Sequence, residues 1–289
     1  MNMKVAGLLN KVIVIESLAE GELKTGTRLF EDQLMHLDSK VENLSAEIFP
    51  VEDADAFICC LRTISERIPK EAIAPIIHLE CHGDEDGLML ADGSHLPWNR
   101  FRNELIKINF ASRLNTLVVV GACDGANLIS TATQMDGAPF FGVIGVQEEI
   151  KAGDLVRRFR DFYSAFFETK DGDKAMEALN KDIGDSEPRF GFIGARALFE
   201  ASFRNYYWMY CRGKGKKARV EFLVSRVLQN PEVKSRGIKY ARKRVKEELS
   251  KPEDDFEFFR KRFFSTDRLP EVLERFPMEF NDVIRASDA

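Results

Sequence analysis

The stretch Thr116–Gly125, TLVVVGACDG, decides how the chain is read. Thr116–Gly121 is a continuous, β-branched apolar run without polar alternation, as expected of a strand covered on both faces of a parallel sheet. Cys123 follows between Gly121 and Gly125, where the strand pattern ends and a helical pattern begins. Ligands of open α/β sheets gather in the crevice at the carboxyl ends of the strands. A thiol near a helix N-terminus is also shifted toward its reactive thiolate. A free cysteine is often only a small buried hydrophobe. The two flanking glycines argue against that here, because they permit a sharp turn and close approach of a substrate backbone.

Working outward, Val12–Ile15, Ala46–Val51, Pro75–Leu79 and Phe140–Val146 are four more apolar runs. Ala56, Cys59, Cys60, Thr63, Ile64 and Arg67 recur at helical spacing between the second and third. Strands alternating with helices predict an α/β fold with a mostly parallel sheet flanked by helices. One interruption is expected. Gly87–Leu90 and Ser94–Leu96 read as a small hairpin around Asp92-Gly93, which supplies the positive φ angles of a tight turn. Pro97 then starts a helix to about Phe110.

Composition bounds what such a fold can be doing. The 289 residues are 44% hydrophobic and 31% charged, which excludes wholesale disorder. With 42 basic and 47 acidic side chains the net charge is −5, unlike a surface built throughout for nucleic acid. No apolar run is long enough to span a membrane. Lys11 and Glu16 interrupt the early apolar stretch, and no cleavage site follows, so no signal peptide is expected. Five scattered cysteines read as reduced thiols of a cytoplasmic protein.

A change of character near Tyr210 predicts two parts, 1–210 and a helical extension 211–289. Residues 212–249 carry thirteen Lys or Arg against four Glu. The remainder is acidic and rich in phenylalanine. The basic run is expected to be a solvated helical face paired with acidic neighbours, with nucleic-acid binding the less favoured alternative. Phe256, Phe258, Phe259, Phe263 and Phe264 are expected to pack against the first part.

A nucleophilic cysteine needs a base. The four histidines, His36, His78, His82 and His95, all precede Cys123. That order excludes α/β-hydrolase, class I glutaminase and papain-like arrangements, in which the histidine follows the nucleophile. Trypsin-like cysteine proteases have the right order but are all-β. In Ile76–Gly83, IIHLECHG, His82 ends the third strand, on the rim it would share with Cys123. His78 lies about 13 Å back at roughly 3.3 Å per residue, and is expected to be buried and hydrogen-bonded. The same separation argues against a shared metal ion, and Cys81 points to the other face. His36 and His95 are expected to be solvated.

A strand ending in His82-Gly83, a hairpin with Leu-rich and Asp-Gly elements, and a strand ending in Ala122-Cys123-Asp124-Gly125 together resemble the caspase-like cysteine proteases. Within them the chain most resembles the bacterial CHAT group, which is related to separase. The resemblance covers about residues 10–210, including a helix Asp154–Glu168 with the pair Phe162-Tyr163.

The resemblance implies a dyad without an obligatory third acid: Cys123 as nucleophile and His82 as general acid/base. The backbone N–H groups of Gly83 and Cys123 would hold the oxyanion, with no metal and no cofactor. Relatives line their first side-chain pocket from the loop after the fifth strand. Glu148, Glu149 and Asp154 lie there, and acidic walls would favour Arg or Lys at the cleaved position. Gly121 stands where several basic-specific relatives place an acid. Asp154 also reads as a helix N-cap and the two glutamates as a solvated loop. The implied partners are a protein substrate, of the gasdermin or another effector type in bacterial antiviral defence, and a separate activator or sensor protein. The rival reading is a catalytically silent scaffold that keeps the fold.

Overall fold

The computed structural model describes residues 9–36, 44–122, 127–146, 150–181 and 189–285. The chain forms two compact units. One runs to Thr133 and resumes over Ala138–Ala195; the other holds Gln134–Gly137 and continues from Arg196.

The first unit is built on a mixed, mostly parallel sheet. In chain order its elements are β1 (Lys11–Ser17), α1 (Thr25–Asp32), β2 (Ser45–Pro50), α2 (Ala54–Glu71), β3 (Pro75–Gly83), β4 (Gly87–Met89), β5 (His95–Pro97), α3 (Trp98–Ala111), β6 (Leu117–Val120), α4 (Asn127–Ala132), β7 (Gly142–Gly145), α5 (Ala152–Thr169), α6 (Gly172–Leu179) and β8 (Gly191–Gly194). The main sheet has the order β2-β1-β3-β6-β7-β8. Neighbours are parallel except β8, which runs antiparallel to β7. The expected α/β class is what the structure has, and this order with an antiparallel last strand is consistent with a caspase-like sheet.

Register explains the two covered faces. Val14, His78 and Val119 are level on β1, β3 and β6. Their face packs Val12, Val14, Ile76, Val119 and Ile144 against Leu29 of α1, Phe159, Phe162 and Phe166 of α5, and Leu179 of α6. The alternate residues Ile13, Ile15, Ile77, Leu79, Val118 and Val120 point the other way and are equally buried. Fully burying such side chains contributes about 1.5–3 kcal/mol each. Buried on both faces, these strands have to read as unbroken apolar runs, which is why they stand out in the sequence.

Helix α2 starts at an Asp53 cap, whose carboxyl accepts from Asp55 N at 2.9 Å and Ala56 N at 2.7 Å. Its buried side is Phe57, Ile58, Leu61, Ile64 and Ile68. Of the residues singled out by helical spacing only Ile64 belongs to it; Cys59 and Thr63 face solvent.

The hairpin β4–β5 is present and pairs with the end of β3, but its turn is wider than a two-residue Asp-Gly turn. Only Gly93 has a positive φ, +83°. Asp92 instead accepts Ser94 N on its carboxyl at 2.8 Å. Pro97 caps α3, and the helix itself begins at Trp98.

In the second unit, α7 (Ala195–Tyr206) is followed by a π-turn (Tyr207–Cys211), α8 (Gly213–Val227), α9 (Pro231–Ser235), α10 (Gly237–Glu248), α11 (Pro252–Phe264), α12 (Val272–Arg275) and α13 (Phe280–Arg285). The division falls at the start of α7, between Ala195 and Arg196, ahead of the compositional change at Tyr210. The reason is aromatic packing: Phe199 and Phe203 of α7 contact Phe256 at 5.7 and 5.0 Å between ring centroids, and Phe199 meets Phe263 and Phe264 at 5.4 Å each. The phenylalanines of the tail thus find their core on α7 within this unit. Phe258 does not join it and is 58% exposed.

Basic helices α8 and α10 pair through Val220, Val224, Ala241 and Val245. Their charges meet local acids, Arg242 with Glu221 at 2.8 Å and Arg236 with Glu232 at 3.0 Å. Arg219 pairs with Asp255 of the acidic segment at 3.0 Å. Among the described residues no helix is long and apolar enough to cross a membrane.

Candidate functional site

The carboxyl ends of β1, β3 and β6 meet where α1 crosses the sheet, and polar side chains collect there. Glu16 on β1 and Glu80 on β3 are level neighbours and both are buried. Buried carboxylates require hydrogen bonds in place of water. Glu16 accepts from Thr27 N at 3.0 Å and from Thr27 Oγ1 at 2.7 Å. Glu80 accepts from Thr25 Oγ1 at 2.7 Å and from His78 Nε2 at 2.8 Å.

His78 is wholly buried, as expected of it. A carboxylate only accepts, so Nε2 carries the proton and Nδ1 accepts from the Tyr163 hydroxyl at 2.9 Å. Burial, with the Glu80 carboxyl nearby, pushes the Tyr163 hydroxyl well above its ordinary range and keeps it a donor. Two glycines make room for this network. A Cβ at Gly26 would lie 3.0 Å from Val14 Cγ1 and 3.1 Å from Glu16 Oε1. One at Gly121 would lie 2.8 Å from the Leu79 carbonyl oxygen.

Two residues beyond Glu80, the same face of β3 presents His82, at the rim and with its side chain 55% exposed. His82 is the penultimate residue of β3, opposite Met89 of β4, and Gly83 follows opposite Leu88. The strand end is fixed by Asp84. Its carboxyl accepts from Asp86 N at 2.8 Å and Gly87 N at 2.9 Å, and its carbonyl accepts Trp98 Nε1 at 2.9 Å. Desolvation works against the Asp84 carboxyl, but those N–H groups and the His95 ring hold it below its ordinary range. His95 is exposed, as expected, with its Nε2 3.3 Å from Asp84. His36 is exposed, as expected.

His82 has a partner that the sequence did not single out. Its Nε2 lies 2.8 Å from Glu22 Oε1. Glu22 sits in the loop between β1 and α1, and its other oxygen accepts Ala19 N at 2.6 Å. The His82 hydrogen bond, then the Ala19 N–H, hold the Glu22 carboxyl below its ordinary range. The resemblance implies a dyad with no obligatory third acid; an acid nevertheless stands beside His82 here. Adjacency of β1 and β3 makes an acid at or beyond the end of β1 a candidate, yet Glu16, Glu20 and Glu22 all qualify by position.

Cys123 lies outside the described residues, as do Glu148 and Glu149. The chain leading to Cys123 is placed: Gly121 N donates to the Leu79 carbonyl at 2.8 Å, extending the β3–β6 pairing. Asp154 is not an N-cap. The helix begins two residues earlier, at Ala152, and Asp154 lies in its first turn, 3.8 Å from Arg157. Acids in a first turn favour the helix dipole. Its described ion partner is thus on its own helix, and no described contact brings it to His82.

The other thiols lie elsewhere. Cys59, Cys60, Cys81 and Cys211 are thiols that take part in no disulfide among the described residues. Burial and the nearby Glu47 push the Cys60 thiol up to about 12. Burial and Asp255 also raise that of Cys211. Among the described residues no group of three or more His, Cys, Asp or Glu could hold a metal ion. No protein-family model matches the chain, and no curated protein matches it in sequence.

Proposed function

We propose that the protein is a cysteine endopeptidase in which Cys123 is the nucleophile and His82 the general acid/base. One observation carries the reading. Leu79 of β3 is level with Val120 of β6, and His82 follows Leu79 by the same three steps by which Cys123 follows Val120. The histidine is exposed, oriented by a carboxylate and on the rim where sheets of this kind bind ligands.

In this reading His82 takes the thiol proton and the thiolate attacks the peptide carbonyl. His82 then protonates the departing amine, and water resolves the acyl-enzyme. The N–H groups of Gly83 and Cys123 hold the developing oxyanion. The substrate is a specific partner protein, of the effector type cut in bacterial defence, and a separate activator or sensor releases the activity. Glu148 and Glu149 line the first pocket and favour Arg or Lys. Asp154, paired with Arg157, is the weakest of the three for that role. The acids interleaved in the basic segment support a reading without nucleic acid.

Competitive labelling tests this reading. Iodoacetamide at pH 7 should modify Cys123 at least tenfold faster than Cys59, Cys60, Cys81 and Cys211, and His82→Ala should remove the difference. Uniform slow labelling of the wild type would favour a silent scaffold.

A further inference from the structure

We propose that Glu22 is a positioning residue for His82: it holds the imidazole in the Nε2-protonated tautomer, so that Nδ1 is the nitrogen that exchanges a proton with Cys123. This rests on the dyad reading above and extends it to a triad.

The argument is one of donors and acceptors. An ionised carboxylate can only accept. With Glu22 Oε1 at 2.8 Å, His82 Nε2 must donate, and the lone pair of the neutral ring is left on Nδ1. Glu22 is itself held in place. Ala19 N–H occupies its second oxygen at 2.6 Å, and Lys24 Nζ donates to the Leu18 carbonyl, closing the same loop. That loop springs from β1, which pairs with β3 through Ser17 and Cys81. His82 is thus carried by β3 itself, and Glu22 by the loop that leaves the adjacent strand β1.

The proton balance follows. The S–H bond of Cys123 breaks, its proton bonds to Nδ1, and a thiolate–imidazolium pair results. The Glu22 carboxylate accepts from Nε2–H throughout and offsets the imidazolium charge without taking the proton. When the scissile C–N bond breaks, the Nδ1 proton passes to the leaving amine. Lys24 is the other charged group acting on Glu22, and Met89, opposite His82 on β4, carries no charge.

Two readouts test the assignment on the full chain. Nitrogen-15 NMR of the wild-type imidazoles should show His82 protonated at Nε2 when neutral; protonation at Nδ1 would overturn the proposal. Iodoacetamide labelling of Cys123 from pH 5 to 9 supplies the second. Glu22→Ala should slow labelling at pH 7 about tenfold and move its midpoint up by about one pH unit. Glu22→Gln keeps an acceptor but not the charge and should fall between. The far-UV circular dichroism of both variants should match wild type, which separates positioning from unfolding. A Glu22→Ala protein with the wild-type rate and midpoint would overturn the role of Glu22 while leaving the dyad. If instead His82→Ala labels Cys123 as fast as wild type, the dyad itself fails and the triad with it.

Discussion

The Glu80 carboxyl fills the space beside Gly121: a Cβ at position 121 would stand 2.9 Å from Glu80 Cδ and from its Oε1. Glu80 is fixed there by Thr25 and His78, so it has nowhere to retreat, and the Leu79 carbonyl behind it is backbone. Gly121→Ala should therefore destabilise the protein by about 1–3 kcal/mol. Denaturant unfolding would measure this. A variant as stable as wild type would mean that the strand end is looser than its packing implies.

Tyr163 of α5 donates a hydrogen bond to His78 Nδ1, and both side chains are wholly buried. Tyr163→Phe keeps the ring packing on Phe162 and Phe167 but leaves a buried ring nitrogen without its donor. The expected loss is about 1–3 kcal/mol. Thermal unfolding of the variant beside wild type would show it. No change would imply that His78 finds another donor or takes the other tautomer.

Cys60 offers an internal control for any thiol experiment. Burial and Glu47 raise its thiol from 9.0 to about 12, so at neutral pH its thiolate fraction should be about a thousandfold smaller than that of an unperturbed thiol. Mass-spectrometric labelling rates should leave Cys60 nearly unmodified at pH 7 and rising tenfold per pH unit through pH 9. Labelling that levels off below pH 9 would contradict the burial.

Glu104 on α3 is buried and draws Lys107 at 2.9 Å and Arg62 at 3.2 Å. Desolvation opposes its charge, but those cations win and hold its carboxyl below the ordinary range. A carboxyl that titrates lower when folded stabilises fully above its unfolded value of about 4.3, and this stabilisation is lost as pH falls through the lowered folded value. Because both cations are mostly exposed, the pair is worth only about 0.5–1 kcal/mol. Glu104→Gln should be less stable than wild type at pH 7, and the gap should close toward pH 3. A gap independent of pH would assign the effect to packing instead.

Much of this architecture was legible because of how burial writes itself into sequence. The central strands of a sheet covered on both faces must be continuously apolar, so Leu117–Val120 and Pro75–Leu79 declared themselves. The hairpin announced itself through Gly93. Strand β8, Gly191–Gly194, was not legible: it is short, bounded by glycines, and owes its conformation to pairing with β7. Helix α1 escaped notice because only a narrow side of it is apolar, while Thr25, Gly26 and Thr27 at its start serve the buried carboxylates rather than the core.

The candidate site divides in the same way. His82 could be found because it ends a strand next to a glycine, and His78 could be placed inside the sheet by distance along the strand. Glu22 could not be chosen from Glu16 and Glu20, since the choice depends on the path of a loop after Ser17. Glu16 and Glu80 are charges inside otherwise apolar strands. Their burial is possible only through hydroxyl and backbone donors at the start of α1, a long-range match that no local pattern records.

The central claim is tested most directly by exposing a mixed peptide library to wild type, Cys123→Ala and His82→Ala side by side and identifying every cut. Cuts made by the wild type and lost in both variants, clustered after one residue type, are the predicted result; clustering after Arg or Lys would support Glu148 and Glu149 as pocket walls. Identical patterns from all three proteins, with Cys123 labelling no faster than the other thiols, would contradict the account and leave the fold as a binding module.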